Sequence, residues 1–258
     1  VSMLDIVTAP ALDGVAHGFF GRPGGVSRPP VEGLNCGFGA DDDPDAVRAN
    51  RRLAADAMIE GADIAAPYQV HSPDVAIATE AWPIDARPTA DAVATKTPGL
   101  LLGIVTADCA PVLLADREAG VVAAAHAGWR GAIGGVTDKA IGAMIMLGAE
   151  PRRIDAAIGP CIAQKSYEVG EDFVTPFEQE DPENMRFFRE GSTGKPHFDL
   201  ESYVAARLAG AGVRSVWMAG EDTYAQPDRY FSFRRATHEG AANYGRQISL
   251  IGIAPATR

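Results

Sequence analysis

Three apolar runs in quick succession dominate the pattern of this chain. Leu100 to Thr106, Pro111 to Ala115 and Val121 to His126 are almost continuously apolar, with turn residues from Asp116 to Gly120 between the last two. Runs of this length predict buried strands, and their lack of alternation predicts a sheet covered on both faces. His17 to Gly21, Ile154 to Ile158, Val213 to Met218 and Gln247 to Ile253 predict further strands, and Tyr230 to Arg235 a short strand or the end of one. Helical patterns run from Pro44 to about Glu60 behind the capping residues Asp41 to Asp43, from Gly131 to Gly148, from Glu171 to Gln179, and from Leu200 to Ala209. Pro suits a first helical turn, and Gly148 and Gly210 suit the positions just past a helix end. Gln179 to Lys195 is polar and aperiodic, the best candidate for disorder. There is no internal repeat and no linker, so one α/β (α+β) domain over 1–258 is expected, with mixed sheets because strands adjacent in sequence favour hairpins.

Composition narrows the function classes. With 258 residues and 47% hydrophobic content the chain can bury a sizeable core. A net charge of −11 opposes binding to a phosphate backbone or an anionic membrane surface. No apolar run reaches the ~20 residues of a membrane span. Val1 to Asp5 carry no basic region and lead into no apolar run, so a secretory leader is not expected. Three widely spaced cysteines, Cys36, Cys109 and Cys161, fit a reducing compartment rather than a disulfide framework. A cytoplasmic protein is the expectation.

The chemistry concentrates at strand ends. Asp108-Cys109-Ala110-Pro111 opens one predicted strand, and His126-Ala127-Gly128-Trp129-Arg130-Gly131 closes the next. A soft sulfur and an imidazole therefore sit on neighbouring strands. A lone buried Cys is usually a small hydrophobe, and a lone His at a strand end is usually a satisfied core residue. Here Asp108 adds a carboxylate that is costly to bury without a task, and the glycines after His126 permit close approach of backbone or ligand. Gly131 is expected to open a helix whose first amides are free for an anion. His71, in Gln69-Val70-His71-Ser72, is a third candidate. Cys plus two His is a known set for a catalytic zinc that keeps an open position.

Other templates fail. His238-Glu239 is followed by Ala242 rather than a second histidine, so the zinc-protease spacing is absent. The zinc nucleobase-deaminase signature fails because no Glu follows His126 at the required place. No Walker loop and no dinucleotide fingerprint follows a strand. Arg22, Arg130, Arg234 and Arg235 lie in glycine-rich or strand-end contexts that suit oxyanion or phosphate binding, though solvation or ion pairing explains any one of them equally well. Glu168 reads either as a substrate contact or base, or as an acid favoured before a helix.

Taken together, these segments resemble the YfiH-type family, long labelled laccase-domain or polyphenol oxidase proteins. The matching pieces span most of the chain: His17 to Arg22, Gly24 to Ser27, Leu34-Asn35, Gln69 to Ser72, Thr106 to Pro111, His126 to Gly131, Ile158 to Cys161, Tyr167 to Gly170 and Phe231 to Arg235. The resemblance implies two mixed sheets packed face to face and flanked by helices, and a zinc bound by His71, Cys109 and His126. It also implies phosphorolysis of adenosine, inosine and methylthioadenosine, and deamination of adenosine. Asp108, Cys109 and Glu168 are then the catalytic candidates, and Arg22, Asn35, Arg130 and Arg234 the candidate contacts to nucleoside and phosphate. One departure stands out: Asp222-Thr223-Tyr224 replaces the Cys-Thr-Tyr often found in the family.

The alternatives are a copper polyphenol oxidase, a metal-free Cys109/His126 hydrolase, and a non-enzymatic, cell-wall-linked factor. Copper also accepts Cys and two His. A multicopper centre needs many histidines, however, and this chain has 5, none in a His-x-His pair. Small-molecule nucleoside and phosphate are the expected partners, with no nucleic acid and no membrane.

Overall fold

A computed structural model describes residues 3–255; Val1 and Ser2, where the leader expectation begins, lie outside them. In chain order the strands are β1 (Ile6–Val7), β2 (Ala16–Phe20), β3 (Asp63–Ala65), β4 (Val75–Ile77), β5 (Ala92–Thr95), β6 (Leu100–Thr106), β7 (Ala110–Asp116) and β8 (Val121–Ala127). They continue with β9 (Asp155–Ile158), β10 (Phe188–Glu190), β11 (Pro196–Phe198), β12 (Ser215–Met218) and β13 (Gln247–Gly252). The helices are α1 (Pro44–Met58), α2 (Trp129–Ile133), α3 (Val136–Met146), α4 (Glu171–Glu180), α5 (Leu200–Gly210) and α6 (Phe233–His238).

Two mixed sheets face each other. One runs β1-β2-β13-β6-β3 and the other β12-β9-β7-β8-β5-β4, while β10 and β11 form a separate hairpin. Period-two alternation sorts the side chains into layers. Leu102 and Ile104 of β6 meet Leu113 of β7 and Val122 and Ala124 of β8 between the sheets. Leu101 of β6 and Leu250 of β13 turn outward onto α1. Val112, Leu114, Ala123 and Ala125 turn outward onto α3 and α5. Every residue of β7 and β8 is buried, as continuous apolarity predicts. The three runs do not share one sheet, however: β6 crosses to the opposite layer. Residues 107–109 make that crossover, which places Cys109 at the junction of the two sheets.

The structure corrects several local expectations. The helix expected from Gly131 to Gly148 begins earlier, at Trp129 with Gly128 as its cap. It breaks at Gly134-Gly135, where Gly135 takes φ 84, and resumes as α3. Gly131 therefore opens no helix. Tyr230 to Arg235 is not a strand: the Ser232 hydroxyl accepts from the Arg235 amide and caps α6. Gln179 to Lys195 is ordered into the end of α4, a 3₁₀ turn (Pro182–Phe187) and β10. It is held by burial of Asn184 and Phe187 against an aromatic cluster that includes Phe177 and Tyr203. The short strands β3, β4 and β5 had no distinct sequence pattern.

Gly159, just past β9, shows why one motif glycine is needed. A Cβ there would sit 2.1 Å from the ring of Phe19, which is buried between the sheets and stacks on Trp217. Gly159→Ala must shift that ring. It is expected to cost about 1–3 kcal/mol, the usual price of overpacking, and to lower the thermal unfolding midpoint by several degrees. An unchanged midpoint in calorimetry would show that the ring relaxes freely.

Candidate metal centre and its cavity

Three side chains converge where the sheets meet. In the β7–β8 hairpin Pro111 faces His126 and Ala110 faces Ala127, so Cys109, just ahead of β7, lies beside His126. His71 enters from the loop before β4 with φ 62, a left-handed conformation that a non-glycine residue adopts only under constraint. Potential ligand atoms of His71, Cys109 and His126 all lie within 4.8 Å of one another. Cys109 Sγ is 3.7 Å from His71 Nε2. Tetrahedral zinc with bonds of about 2.3 Å to sulfur and 2.0–2.1 Å to nitrogen separates such atoms by about 3.6 Å, so the spacing fits.

Asp91 organises the group, and the sequence reading did not single it out. Its carboxylate is fully buried and accepts from three successive amides, Val70 (3.0 Å), His71 (2.9 Å) and Ser72 (2.7 Å). The His126 Nδ1 lies 2.7 Å from the same carboxylate, which turns Nε2 toward Cys109. One acid thus constrains the loop bearing His71 and fixes the ring of His126, the carboxylate–histidine arrangement typical behind metal ligands. Burial alone would raise Asp91, but the bonds from His126 and the amides hold it at about 2. The visible signal was a carboxylate inside Ala90-Asp91-Ala92-Val93-Ala94, where a charge has no reason to be without partners. Asp91→Asn is expected to weaken metal binding about 10–100-fold. Chelator competition measures this, and unaltered affinity would remove Asp91 from the account.

The cradle is shaped for an ion. Gly128 has φ −69, an ordinary value, so its backbone does not require glycine. Its space does: a Cβ would lie 2.6 Å from His71 Cδ2 and 2.9 Å from Cys109 Sγ. Burial raises the Cys109 thiol, but His126 and His71 beside it prevail and hold it down to about 6, favouring the thiolate that binds metals. His126 is buried, Cys109 half-buried and His71 exposed, so the group opens on one side. Among the described residues the other histidines are engaged elsewhere: His17 with Val15 and Ala9, His197 with the Gln164 carbonyl, and His238 with the Tyr224 hydroxyl.

That open side faces a cavity of about 760 Å³, within the ~300–1,000 Å³ of small-molecule sites. Asp108, Arg130, Glu168 and Arg234 line it. Asp108 has φ 85 and is buried; it accepts from the Thr223 hydroxyl (2.7 Å), the Ser232 hydroxyl (2.9 Å) and the Arg234 amide (2.7 Å). Burial pushes its carboxyl above the ordinary range against those bonds. Both Glu168 oxygens are occupied, by Thr193 (2.7 Å) and Lys195 (3.1 Å), and these bonds hold it below the usual range. Arg234 gives one N–H to the Glu168 carbonyl and lies over Tyr167, and Arg130 lies over Trp129. Trp129 itself packs on Phe173, 4.6 Å between ring centroids. The Thr106 hydroxyl, on the cavity wall, is buried with no partner among the described residues.

Two expected contacts are not brought to the cavity. Arg22 bonds to the Pro227 and Glu32 carbonyls and lies over Phe231. Asn35 is fully buried and ties Gly37, Asp42 and Arg246 together. Both are spent on holding loops. Arg235 is likewise spent on the Thr223 and Tyr224 carbonyls. Asp222, where relatives often have Cys, accepts from Ala163, Ser166 and Tyr224, anchoring the segment after Cys161 and leaving the three-ligand group intact.

Comparison with known proteins finds relatives over nearly the whole chain. Residues 16–254 match a family model described as multi-copper polyphenol oxidoreductase laccase. A purine nucleoside phosphorylase of Deinococcus radiodurans is 43% identical over 253 residues, 97% of this chain and 93% of that one. An adenosine deaminase from an unknown prokaryotic organism is 37% identical, covering 85% of this chain and 86% of its own. Among solved structures, a Neisseria meningitidis protein superposes with TM-score 0.86 at 36% identity, covering 98% and 99% of the two chains. YfiH of Bacillus licheniformis gives 0.83 at 28% identity over 93% and 92%. No helix among the described residues is long and apolar enough to cross a membrane.

Proposed function

The chain belongs to the YfiH-like family, whose model is described as multi-copper polyphenol oxidoreductase laccase, and from that premise we propose that it is a zinc enzyme of purine nucleosides. It phosphorolyses adenosine, inosine and methylthioadenosine, and deaminates adenosine. The observation that carries this reading is the His71–Cys109–His126 group opening onto the cavity, in a chain whose relatives bear phosphorylase and deaminase names. The soft sulfur and two imidazoles favour zinc, and the described residues hold no further histidines at the group from which to build a copper cluster.

Zinc in this position would supply Lewis-acid polarisation and acidify a water. The chain's own residues do the rest. Asp91 keeps the ligand rings oriented. In phosphorolysis a phosphate oxygen bonds to the sugar C1′ as the bond to the purine nitrogen breaks, and the departing base takes up a proton. In deamination water adds at the ring carbon bearing the amino group, and ammonia leaves with the extra proton. Asp108 handles these protons: three donors engage its oxygens, Oδ1 receiving one and keeping a free acceptor position. Glu168, tied to Lys195, lines the cavity. Arg130 and Arg234 bring guanidinium groups to the cavity lining. The unpartnered Thr106 hydroxyl is a ready contact for a polar substrate atom.

The test is product analysis. Incubated with adenosine, the protein is expected to release adenine only when phosphate is present, and to form inosine with or without it. Chromatographic absence of all three products (adenine, hypoxanthine and inosine) from fully metallated protein would reject the nucleoside reading.

A further inference from the structure

The same cavity carries a second cluster of side chains whose chemistry the metal group does not explain. Arg51 of α1, Arg87 and Arg246 line it together with Phe38, Tyr68 and Tyr244. Each guanidinium lies over an aromatic face: Arg51 over Phe38 at 4.8 Å, Arg87 over Tyr68 at 5.6 Å, Arg246 over Tyr244 at 4.5 Å. Each is tethered through one nitrogen only. Arg51 Nε donates to the Cys36 carbonyl (2.9 Å), Arg87 Nε to the Ile84 carbonyl (2.9 Å) and Arg246 to the Tyr244 hydroxyl (2.9 Å). A second Arg246 nitrogen is buried with no partner among the described residues.

No carboxylate answers these charges among the described residues. The neighbouring Arg48 and Arg52 pair with Asp45 and Asp56, whereas Arg51 has the like charge of Arg87 near it. In a chain of net charge −11, three converging guanidinium groups left without acids are not a solvated face. Leaving the second Arg246 nitrogen buried and unmatched is costly, and an anion removes the cost. Planar N–H forks on fixed aromatic supports suit the several oxygens of a phosphate group better than a single carboxylate. The glycines at 37 and 39 clear the approach: a Cβ at Gly37 would strike the Arg246 side chain at 2.8 Å. Arg51, Arg87 and Phe38 also border a smaller cleft of about 330 Å³, so their charge reaches the surface on that side.

We infer that Arg51, Arg87 and Arg246 form a phosphate-group site in the cavity that the metal ligands also line. It takes either inorganic phosphate or the terminal phosphate of a nucleotide whose base points toward the metal. The inference stands on binding alone, so it does not depend on nucleoside turnover.

The experiment is calorimetric titration of the whole protein with inorganic phosphate, and separately with adenosine 5′-monophosphate and adenosine. Arg51→Gln, Arg87→Gln and Arg246→Gln are each expected to weaken phosphate-group binding about tenfold or more. Arg48→Gln, outside the trio and paired with Asp45, should leave it unchanged. Thermal unfolding of each variant confirms that it is folded. Tight inorganic phosphate binding lost in the trio variants identifies the free ion as the ligand. An advantage of the monophosphate over adenosine, lost in the same variants, identifies a nucleotide. If neither probe binds, or if Arg234→Gln abolishes binding while folded trio variants retain it, the inference is overturned.

Discussion

Cys109→Ala is expected to lose bound zinc and nucleoside turnover together, with turnover falling about a thousandfold or more. The substitution removes the only sulfur among the three candidate ligands and leaves two imidazoles, too few to hold zinc against buffer. The fold should survive. Cys109 is half-buried at a crossover rather than inside a packed layer, and alanine fits there without strain. Metal analysis and turnover measured on the same preparation separate the competing chemistries. A metal-free Cys109/His126 hydrolase would also lose activity in this variant, but its wild-type activity would resist chelators. Zinc retained at full occupancy in Cys109→Ala would remove the cysteine from the ligand set.

Gly128→Ser should be nearly as damaging, for a different reason. Gly128 is the N-cap of α2, where serine is favoured over most residues and costs the helix nothing. Its φ of −69 suits any side chain, so helix stability should hold or improve. The new Cβ, however, enters the space between His71 and Cys109, 2.6 Å from one and 2.9 Å from the other. Both ligands must move, and a misplacement of about 1 Å at a reacting centre costs on the order of 100-fold. An unfolding midpoint at or above that of the parent, with metal affinity and turnover lost, is the expected pair of results. Full metal affinity in Gly128→Ser would show that the cradle is looser than the contacts imply.

Strands β6, β7 and β8 were legible because both of their faces are covered, which writes an uninterrupted apolar run into the sequence. The placement of β6 in the opposite sheet was not legible, since hairpins and crossovers share the same short connections. Cys109 and His126 were legible because each stands at a strand end beside small residues, whereas His71, in the loop before β4, stood out only with the segment Gln69 to Ser72. Asp91 was missed because its work is done through backbone amides that only the folded loop brings to it. Arg22 and Asn35 belong to matching segments, but segment matching does not distinguish a loop-holding residue from a substrate contact; their partners are carbonyls, a carboxylate and amides of the protein. The trio of Arg51, Arg87 and Arg246 lies on a helix and two loops with nothing local to mark it, and only the tertiary fold assembles it.

The central claim is that His71, Cys109 and His126 hold the zinc on which nucleoside chemistry depends. The most direct measurement is adenosine turnover by chelator-stripped protein titrated with zinc in the presence of phosphate. Activity should be negligible at the start and rise linearly to a plateau at about one zinc per chain, the stoichiometry of a single three-ligand site. Turnover that survives stripping, or that returns only with copper, would contradict it.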